Sequence, residues 1–374
     1  MGPKVLFTAS TCSHILNFHL PYLRAFQERG WTVHAACGGP PADIPFAETV
    51  WELPLEKSMG SPRNFQAAGI LREKINAEEY ALISTHTSLA AFFTRLALSG
   101  LKRRPMVMNM VHGYLFDDAT PFLKRQVLLA AERWTAPQTD LLVTMTRWDL
   151  EAARRYRLGR RVVHIPGVGV DFSRFTKPDG RTVRALRREW EIPEDAFVLL
   201  YPAEFSRRKS QFVLIKAMAA LPDRVVLVLA GDGALRQDCR ELAGRLGLAG
   251  RVVFPGHIRD LSLWYAMADA AVSASRIEGL PFNIMEAMHA GLPVAASAVK
   301  GHTDLIADGE TGLLYPYGDS AACAAAILRL LESESLRRDL AGRGQEEAAQ
   351  YALDRVFPAV WAQYCSLLPE EIPV

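Results

Sequence analysis

The sequence predicts an α/β protein with two doubly wound parallel sheets, each in its own domain. Short apolar, β-branched segments alternate with segments of helical periodicity along nearly the whole chain, as is typical of consecutive βα units. The alternation pauses once, at Val170–Arg188, where Asp, Lys, Pro and Gly residues indicate a linker. A chain of 374 residues is long enough for two such domains.

The first domain is predicted to span residues 1–170. Its first helix is expected to end at Gly30, because glycine readily adopts the left-handed conformation that closes a helix. The predicted strands are Val5–Ala9, Thr32–Ala36, Leu82–Thr85, Met106–Val111, Leu141–Thr144 and Arg161–Ile165. The predicted helices are Phe18–Arg29, Phe65–Asn76, Leu89–Leu98, Pro121–Trp134 and Asp149–Tyr156.

The second domain is predicted to span residues 171–351, and a last helix in 352–374 is expected to pack back on the first domain. The predicted strands are Val198–Pro202, Val225–Ala230, Val252–Pro255, Ala270–Ser273, Pro293–Ala296 and Gly312–Tyr315. The predicted helices are Gln211–Ala220, Leu235–Leu246, Leu261–Ala268, Phe282–Ala290, Ser320–Glu332, Ser335–Tyr351 and Leu353–Leu368. Ligands of doubly wound sheets bind at the carboxyl ends of the strands, so a site is expected in a cleft between the domains.

Composition and charge narrow the class of protein. With 49% hydrophobic and 22% charged residues, the chain has the composition of an ordinary globular protein. Its 43 basic and 41 acidic residues nearly balance, so it lacks the excess of positive charge that is typical of proteins that bind nucleic acid. Five dispersed cysteines predict neither a disulfide framework nor a zinc site, and a reducing compartment is the default. No signal peptide and no run of about 18 apolar residues is found, so a cytoplasmic protein is expected.

Two glutamates eight positions apart form the sharpest local signal. Glu278 lies in the loop after a predicted strand, and Glu286 lies about one turn into the next helix. Because a helix N-terminus attracts phosphate and carboxylates accept hydroxyl hydrogen bonds, this segment predicts a site for a phosphorylated sugar. The alternative is an ordinary amphipathic helix with a solvated Glu286. The intervening residues of the candidate site are Gly279, Leu280, Pro281, Phe282 and Asn283.

Flanking segments extend this signal over nearly the whole chain. They are His112-Gly113, Pro166-Gly167-Val168-Gly169-Val170-Asp171, Lys209, Ala230-Gly231-Asp232-Gly233 and Val253-Phe254-Pro255-Gly256-His257. Together with the two glutamates they resemble a family 4 retaining glycosyltransferase of the GT-B fold, in which two Rossmann-like domains face each other across a cleft. The chain is most similar to the bacterial enzymes that build exopolysaccharide and capsule.

The resemblance implies a role for each matched residue. Glu286 would bind the ribose of the nucleotide, Lys209 would contact the diphosphate, and Gly256–Arg259, including Ile258, would lie near the base. Glu278 and the backbone of Gly279–Phe282 would hold the transferred sugar. His112 would contact that sugar from the other domain. The implied catalytic residues are therefore His112, Lys209 and Glu278.

The chain departs from the family pattern at two loops. Many members carry Gly-Arg where this chain has Ala203-Glu204, and a carboxylate cannot bind diphosphate. Arg207 and Arg208 are the candidate replacements, since a guanidinium matches phosphate geometry, and the sequence does not decide between them. Many members also carry Gly-Gly where this chain has Thr11–His14, so His14 or Asn17 is a candidate acceptor contact.

The predicted reaction needs no metal or other cofactor. Lys209, an arginine and the helix after Pro281 would stabilise the negative charge of the leaving nucleoside diphosphate. The predicted donor is a UDP-linked hexose or N-acetylhexosamine, and the predicted acceptor is a glycan on polyprenyl diphosphate at the inner membrane face. Basic clusters at 102–104 and 154–157 would then contact the membrane.

Other functions remain open at the level of sequence. Another enzyme of the same fold, such as a UDP-sugar epimerase or a soluble sucrose-type synthase, would share most of these motifs. A two-domain sugar-binding protein without catalysis is the alternative from a different class. An NAD dehydrogenase is disfavoured, because Gly231-Asp232-Gly233 lacks the third glycine and the downstream acid of that fingerprint.

Overall fold

A computed structural model describes residues 2–368 of the chain. The chain forms two compact units. The first unit runs to Gly169 and resumes at Asp354, and the second unit is Val170–Leu353. Residues 369–374, the end of the segment predicted as a last helix, lie outside the described residues.

The first unit contains a seven-stranded, all-parallel sheet with the order β3-β2-β1-β4-β5-β6-β7. The order reverses between β1 and β4, which makes that pair the switch point of the sheet. The strands are β1 (Lys4–Ala9), β2 (Thr32–Cys37), β3 (Thr49–Glu52), β4 (Leu82–His86), β5 (Met106–Val111), β6 (Leu141–Thr144) and β7 (Arg161–His164). The helices before the second unit are α1 (Cys12–Phe18), α2 (Leu20–Glu28), α3 (Pro62–Glu78), α4 (Ser88–Leu98), α5 (Phe122–Thr135) and α6 (Arg147–Tyr156).

A disulfide between Cys12 and Cys37 corrects the prediction that no cysteines pair. Parallel pairing of β1 with β2 sets Ala9 opposite Cys37. The chain then turns into α1, where the Cys12 amide donates a hydrogen bond to the Gly38 carbonyl at 3.1 Å. Sheet register therefore brings together two thiols that are 25 residues apart.

The second unit contains a six-stranded, all-parallel sheet with the order β10-β9-β8-β11-β12-β13. Its strands are β8 (Phe197–Pro202), β9 (Val225–Ala230), β10 (Val252–Gly256), β11 (Ala270–Ser273), β12 (Val294–Ser297) and β13 (Leu313–Tyr315). Its helices are α7 (Gly180–Glu189), α8 (Gln211–Met218), α9 (Arg236–Arg245), α10 (Ser262–Met267), α11 (Phe282–His289), α12 (His302–Leu305), α13 (Ser320–Glu332) and α14 (Glu334–Ala348). Apolar side chains from β8 and β9 fill cores on both faces of the sheet. The predicted fold class, α/β with two doubly wound parallel sheets, is confirmed.

The segment predicted as a linker, Val170–Arg188, is largely helical. A 3-10 turn forms at Phe172–Arg174, and α7 begins after Asp179, whose carboxylate accepts a hydrogen bond from the Thr182 amide at 2.8 Å. Such a side-chain cap stabilises a helix by about 1 kcal/mol. Leu186 is the buried residue of α7, so the sequence has little of the hydrophobic periodicity that would have predicted a helix here.

The last helix, α15 (Leu353–Cys365), completes the core of the first unit. Tyr364 is fully buried, and its hydroxyl lies 2.9 Å from Ser84 Oγ in β4. Its ring packs against those of Phe7, Tyr22 and Phe26. Residues from the end of the chain and from its first strands thus share one apolar core.

Candidate functional site

The candidate site of the second unit lies at the switch point of its sheet. The strand order reverses between β8 and β11, which are hydrogen-bonded neighbours. The loop Ala203–Ser210 follows β8, and the loop Ala274–Pro281 follows β11. Ligands of doubly wound sheets bind outside the carboxyl ends of strands at such a reversal.

Glu278 forms an ion pair with each of two cations from the other loop. Its Oε1 lies 2.5 Å from Lys209 Nζ, and its Oε2 lies 2.8 Å from Arg208 Nη1. Burial alone would raise the pKa of Glu278, but the charges of Lys209 and Arg208 outweigh burial and lower the pKa to about 2. Glu278 is therefore ionised at neutral pH. We call Arg208, Lys209 and Glu278 the ion-pair cluster.

Main-chain and tyrosine hydrogen bonds hold the two loops together. The buried Tyr201 hydroxyl at the end of β8 donates to the Lys209 carbonyl at 3.0 Å and lies 2.8 Å from Ser275 Oγ. The Arg276 amide donates to the Arg208 carbonyl at 2.8 Å. The backbone on both sides of the ion-pair cluster is fixed in this way, so the charges are positioned before a ligand binds.

The segment after β12 packs closely against the loop that carries Glu278. The Glu278 amide donates to the Lys300 carbonyl at 3.2 Å. Gly301 has φ +86°, and a Cβ atom at this position would lie 2.0 Å from the Gly279 carbonyl oxygen and 2.8 Å from Glu278 Cβ. Only glycine allows this approach of the two backbones.

Glu286 has a different environment from Glu278. Tyr265 donates a hydrogen bond to Glu286 Oε2 at 3.0 Å, and Arg174 Nη2 lies 3.5 Å from Glu286 Oε1. Burial raises the pKa of Glu286 above its ordinary value, against the opposing effects of Tyr265 and Arg174. The carboxyl is thus held in place but only weakly paired, as suits a group that accepts hydrogen bonds from a ligand.

Helix α11 connects the two glutamates. It begins directly after Pro281, as predicted, and Pro281 is its N-cap residue. Asn283 donates from Nδ2 to the Pro202 carbonyl at 3.1 Å, so the first turn is tied to the end of β8. Leu280 and Phe282 pack against the apolar core, which anchors the N-terminus of the helix at the switch point.

A cavity of ≈ 400 Å³ opens at the carboxyl ends of β8 and β9. Ile258, one of the predicted base contacts, lies on its wall, and Gly256 with φ +87° ends the adjoining strand β10. A Cβ atom at Gly231 would lie 2.1 Å from the Ala203 carbonyl oxygen, so glycine is required where the loops after β8 and β9 meet. The other lining residues are Pro202, Ala203, Glu204, Ala230, Gly231, Asp232, His257 and Leu261.

Not every predicted site residue belongs to this group. Arg207 is exposed, and Arg208 is the arginine that contacts Glu278. His112 belongs to the first unit, where its Nε2 lies 3.2 Å from His86 Nδ1. Tyr265, which lies 21 positions before its partner Glu286, was not among the predicted site residues. No sequence signal marks that pair, because only the packing of α10 against α11 brings it together.

Each unit has the topology of a nucleotide-binding domain, and charged groups occupy the switch point of the second. Two such units in one chain match the GT-B fold, the fold of many sugar-transferring enzymes. Residues 22–174 match the family described as "Glycosyltransferase Family 4", and residues 182–347 match "Glycosyl transferases group 1". The chain belongs to glycosyltransferase family 4 and uses a nucleotide sugar, as predicted.

Similar proteins cover the chain over nearly its full length. "Putative glycosyltransferase EpsD" from Bacillus subtilis (strain 168) is 34% identical over 94% of this chain and 93% of its own. A crystal structure of Anabaena Alr3699/HepE in complex with UDP and glucose has a TM-score of 0.80 at 22% identity, over 98% of this chain and 100% of that one. Sucrose-phosphate synthase from Thermosynechococcus elongatus has a TM-score of 0.80 at 24% identity, over 98% and 99%. The two structures confirm the fold.

Proposed function

We propose that this enzyme transfers a hexose or N-acetylhexosamine from a UDP-linked donor to a lipid-linked glycan, with retention, during exopolysaccharide or capsule assembly. The observation that carries the proposal is the ion-pair cluster at the switch point of the second sheet. Two cations and one carboxylate within 2.8 Å leave an excess positive charge next to the start of α11. That arrangement suits a diphosphate, which helix N-termini also attract.

The remaining groups of the second unit fit the other parts of a nucleotide sugar. The cavity lined by Ile258 has the size and partly apolar wall that a nucleobase requires. Glu286, weakly paired and buried, is positioned to accept hydrogen bonds from ribose hydroxyls. Glu278, ionised between its two cations, would accept from a hydroxyl of the transferred sugar, and His112 is assigned a contact with that sugar by the resemblance.

The chemical step follows from these charges. The bond between the anomeric carbon and the diphosphate oxygen breaks, and the acceptor oxygen forms its new bond on the same face of the sugar. The acceptor proton passes to the departing diphosphate. Lys209 and Arg208 stabilise the charge that collects on that leaving group, and a preorganised cation of this kind contributes about 3–4 kcal/mol to catalysis. These two residues and α11 would take the place of a divalent metal at the diphosphate.

Relatives support the choice of donor and pathway. Similar solved structures are described as complexes with UDP, with UDP and glucose, and with UDP-glucose. The relative EpsD covers nearly the whole chain, and a second relative, "Lipopolysaccharide core biosynthesis glycosyltransferase LpsE" from Rhizobium meliloti, is 38% identical over 45% of the chain. The name of LpsE points to a cell-surface polysaccharide, and that of EpsD to a glycosyltransferase.

An exposed apolar stripe on α5 supports a lipid-linked acceptor. Leu123, Val127 and Trp134 are 78%, 69% and 65% exposed, and they follow one another on one side of the helix. Exposed Lys124 and Arg133 lie beside this stripe. A helix with apolar and basic residues of this kind binds at an anionic membrane surface. Within residues 2–368, the helices are all too short or too polar to cross a bilayer.

The proposal is tested by thermal-shift titration of the full chain with UDP, UDP-glucose, UDP-galactose and UDP-N-acetylglucosamine, with Glu286→Ala as the matched variant. A ligand at 100 times its dissociation constant stabilises the folded state by about 2.7 kcal/mol. We expect a UDP-dependent rise in Tm for the wild type that the variant loses. Equal shifts in both proteins would contradict the assignment of the site.

A further inference from the structure

Four histidines of the first unit meet at the switch point of its sheet. His14 and His19 follow β1, His86 is the last residue of β4, and His112 directly follows β5. The strand order reverses between β1 and β4, so these side chains stand where doubly wound sheets bind ligands. His14, His19 and His112, here called the histidine cluster, each offer a ring nitrogen within 4.8 Å of those of the other two.

Three ring nitrogens of this cluster, two of His19 and one of His14, are buried without a hydrogen-bond partner among residues 2–368. His19 is fully buried, and neither of its ring nitrogens has a hydrogen-bond partner among the described residues. His14 Nε2 is also buried without a partner in residues 2–368. An unsatisfied buried polar group costs about 1–3 kcal/mol, so a ligand that engages these nitrogens would recover that free energy.

We propose that His14, His19 and His112 form a binding site for Zn²⁺ or a similar divalent transition metal. Imidazole nitrogens suit such ions, whereas Mg²⁺ and Ca²⁺ prefer the oxygen ligands that this cluster lacks. Three nitrogens around a tetrahedral zinc stand about 3.4 Å apart. Each side chain therefore needs to move by less than about 1 Å to reach coordination distance.

The protonation and hydrogen bonding of the cluster agree with this role. Burial lowers the pKa of His14 to about 4 and lowers that of His19 and His112 well below the ordinary value, so the imidazoles are neutral, as metal ligands must be. In the proposed site His112 would coordinate the metal through Nδ1. Its Nε2–H would then remain available as a hydrogen-bond donor to His86 Nδ1, which lies 3.2 Å away. The Nε2 atom of His86 in turn lies 3.0 Å from Ser84 Oγ, and this hydrogen bond holds the His86 ring in its orientation.

The binding of an ion at this cluster has a consequence for the enzyme. His14 and His112 are half-buried, so two of the three side chains are partly exposed to solvent. The consequence rests on the proposed function, in which His112 contacts the transferred sugar. A metal that holds His112 would withdraw it from that sugar and slow the transfer. This site consists of other residues than the ion-pair cluster at the diphosphate.

The binding test uses tag-free, full-length protein freed of metal with EDTA and kept without thiols. Zn²⁺ is titrated against a chromogenic chelator, and Co²⁺ is added separately to record its visible d–d absorption. We expect one metal ion per chain, and His14→Ala should weaken binding by at least about tenfold. His164→Ala, at an exposed position of β7, is the control and should bind like the wild type. No binding, or equal binding by His14→Ala, would overturn the site.

The regulatory consequence is measured separately, so that it can fail independently of the site. The rate of sugar transfer by the wild type is measured once in the presence of one equivalent of Zn²⁺ and once in the presence of excess EDTA. The ratio of these two rates is then compared with the same ratio for His14→Ala. We expect Zn²⁺ to slow the wild type and to have less effect on the variant. Bound Zn²⁺ that leaves the wild-type rate unchanged would overturn the consequence, while a chain that transfers no sugar would contradict the proposed function.

Discussion

At Lys209 a substitution can test the contribution of the positive charge separately from that of the side-chain volume. Its ammonium is the closer of the two cations on Glu278, and burial lowers the pKa of this group against the opposing effect of Glu278. Lys209→Met keeps the volume of the side chain and removes the charge. Because the charge faces the predicted leaving group, we expect kcat/KM to fall by about 10²–10³-fold.

The measurement is initial-rate kinetics with the best UDP-sugar from the thermal-shift screen. Lys216→Met is the matched control, because Lys216 is an exposed lysine of α8 that packs over the Phe212 ring. The control should retain the wild-type rate. A variant at 209 with wild-type kcat/KM would show that the diphosphate binds elsewhere.

Glu286 is expected to show a trade-off between stability and binding. Its pKa in the folded protein lies above the ordinary 4.5, so its contribution favours folding at low pH and is lost as the pH rises through the folded pKa. Glu286→Gln cannot ionise. The Tm of the variant relative to the wild type should therefore increase as the pH rises above the ordinary pKa of 4.5, while the response to UDP is lost.

This pH series is recorded by differential scanning fluorimetry without ligand. Glu346→Gln, on the exposed side of α14, is the control and should show no such trend.

Glu278 should behave in the opposite way from Glu286. Its pKa is lowered to about 2, so its stabilising contribution is present above pH 4.5 and is lost as the pH falls toward 2. A Tm difference for Glu286→Gln that falls with rising pH would contradict the environment described for this carboxyl.

The positions of site residues could be predicted from the sequence only where their spacing determines the element that carries them. The separation of Glu278 and Glu286 places one acid in a loop and the other in the helix, and the structure has both there. The choice between Arg207 and Arg208 could not be made, because adjacent residues in an irregular turn point in different directions. The structure pairs Arg208 with Glu278.

At the level of elements, the loop that carries Glu278 depends on a glycine in another segment. Gly301→Ala would place a Cβ atom 2.0 Å from the Gly279 carbonyl oxygen, so the loop must shift. Gly309→Ala is the matched control, because Gly309 has a similar φ of +75° but open space around the new methyl group. Both variants place an alanine at a positive φ, which costs at least about 1 kcal/mol.

We expect only Gly301→Ala to lose UDP binding, as measured by isothermal titration calorimetry. A common loss of Tm in both variants would report the shared backbone strain. The difference between the variants would report the displacement of the loop. Wild-type affinity in Gly301→Ala would mean that the position of the Glu278 backbone does not matter for the nucleotide.

Helix α5 provides the second test at this level. Leu123→Glu combined with Trp134→Glu replaces two apolar side chains that are 78% and 65% exposed. We expect co-sedimentation with vesicles of phosphatidylglycerol and phosphatidylcholine to weaken by at least about tenfold, because one buried leucine alone contributes about 1.5–3 kcal/mol. Leu246→Glu, on an exposed leucine of the second unit, is the control. Equal vesicle binding by all three proteins would contradict a membrane role for this helix.

The elements that the sequence predicted are those with continuous apolar patterns. Central strands such as β1 and β9 are buried on both faces, so their sequences are plainly apolar. Edge strand β3 is only half-buried, and α7 buries Leu186 alone, so neither has a strong pattern. Helix α1 was missed because the first turn after β1 is polar, and its cap, Thr11, reads as part of a loop.

At the scale of the whole molecule, the two units are expected to unfold as separate transitions. Tyr364 joins the end of the chain to the core of the first unit, where it is fully buried among aromatic rings. Tyr364→Ala removes that packing and the hydrogen bond to Ser84, and changes of this size in a core cost about 3–5 kcal/mol. The loss should fall on the first unit alone, because α15 belongs to it.

Equilibrium unfolding in urea with and without UDP separates the two contributions. UDP is proposed to bind the second unit, so it should shift one transition and leave the other in place. Tyr364→Ala should lower the transition that UDP does not shift, whereas Arg355→Ala, at an exposed position of the same helix, should lower neither. If Tyr364→Ala instead lowers the UDP-dependent transition, or if one transition responds to both changes, the units do not fold independently and the boundary at Gly169 has no energetic meaning.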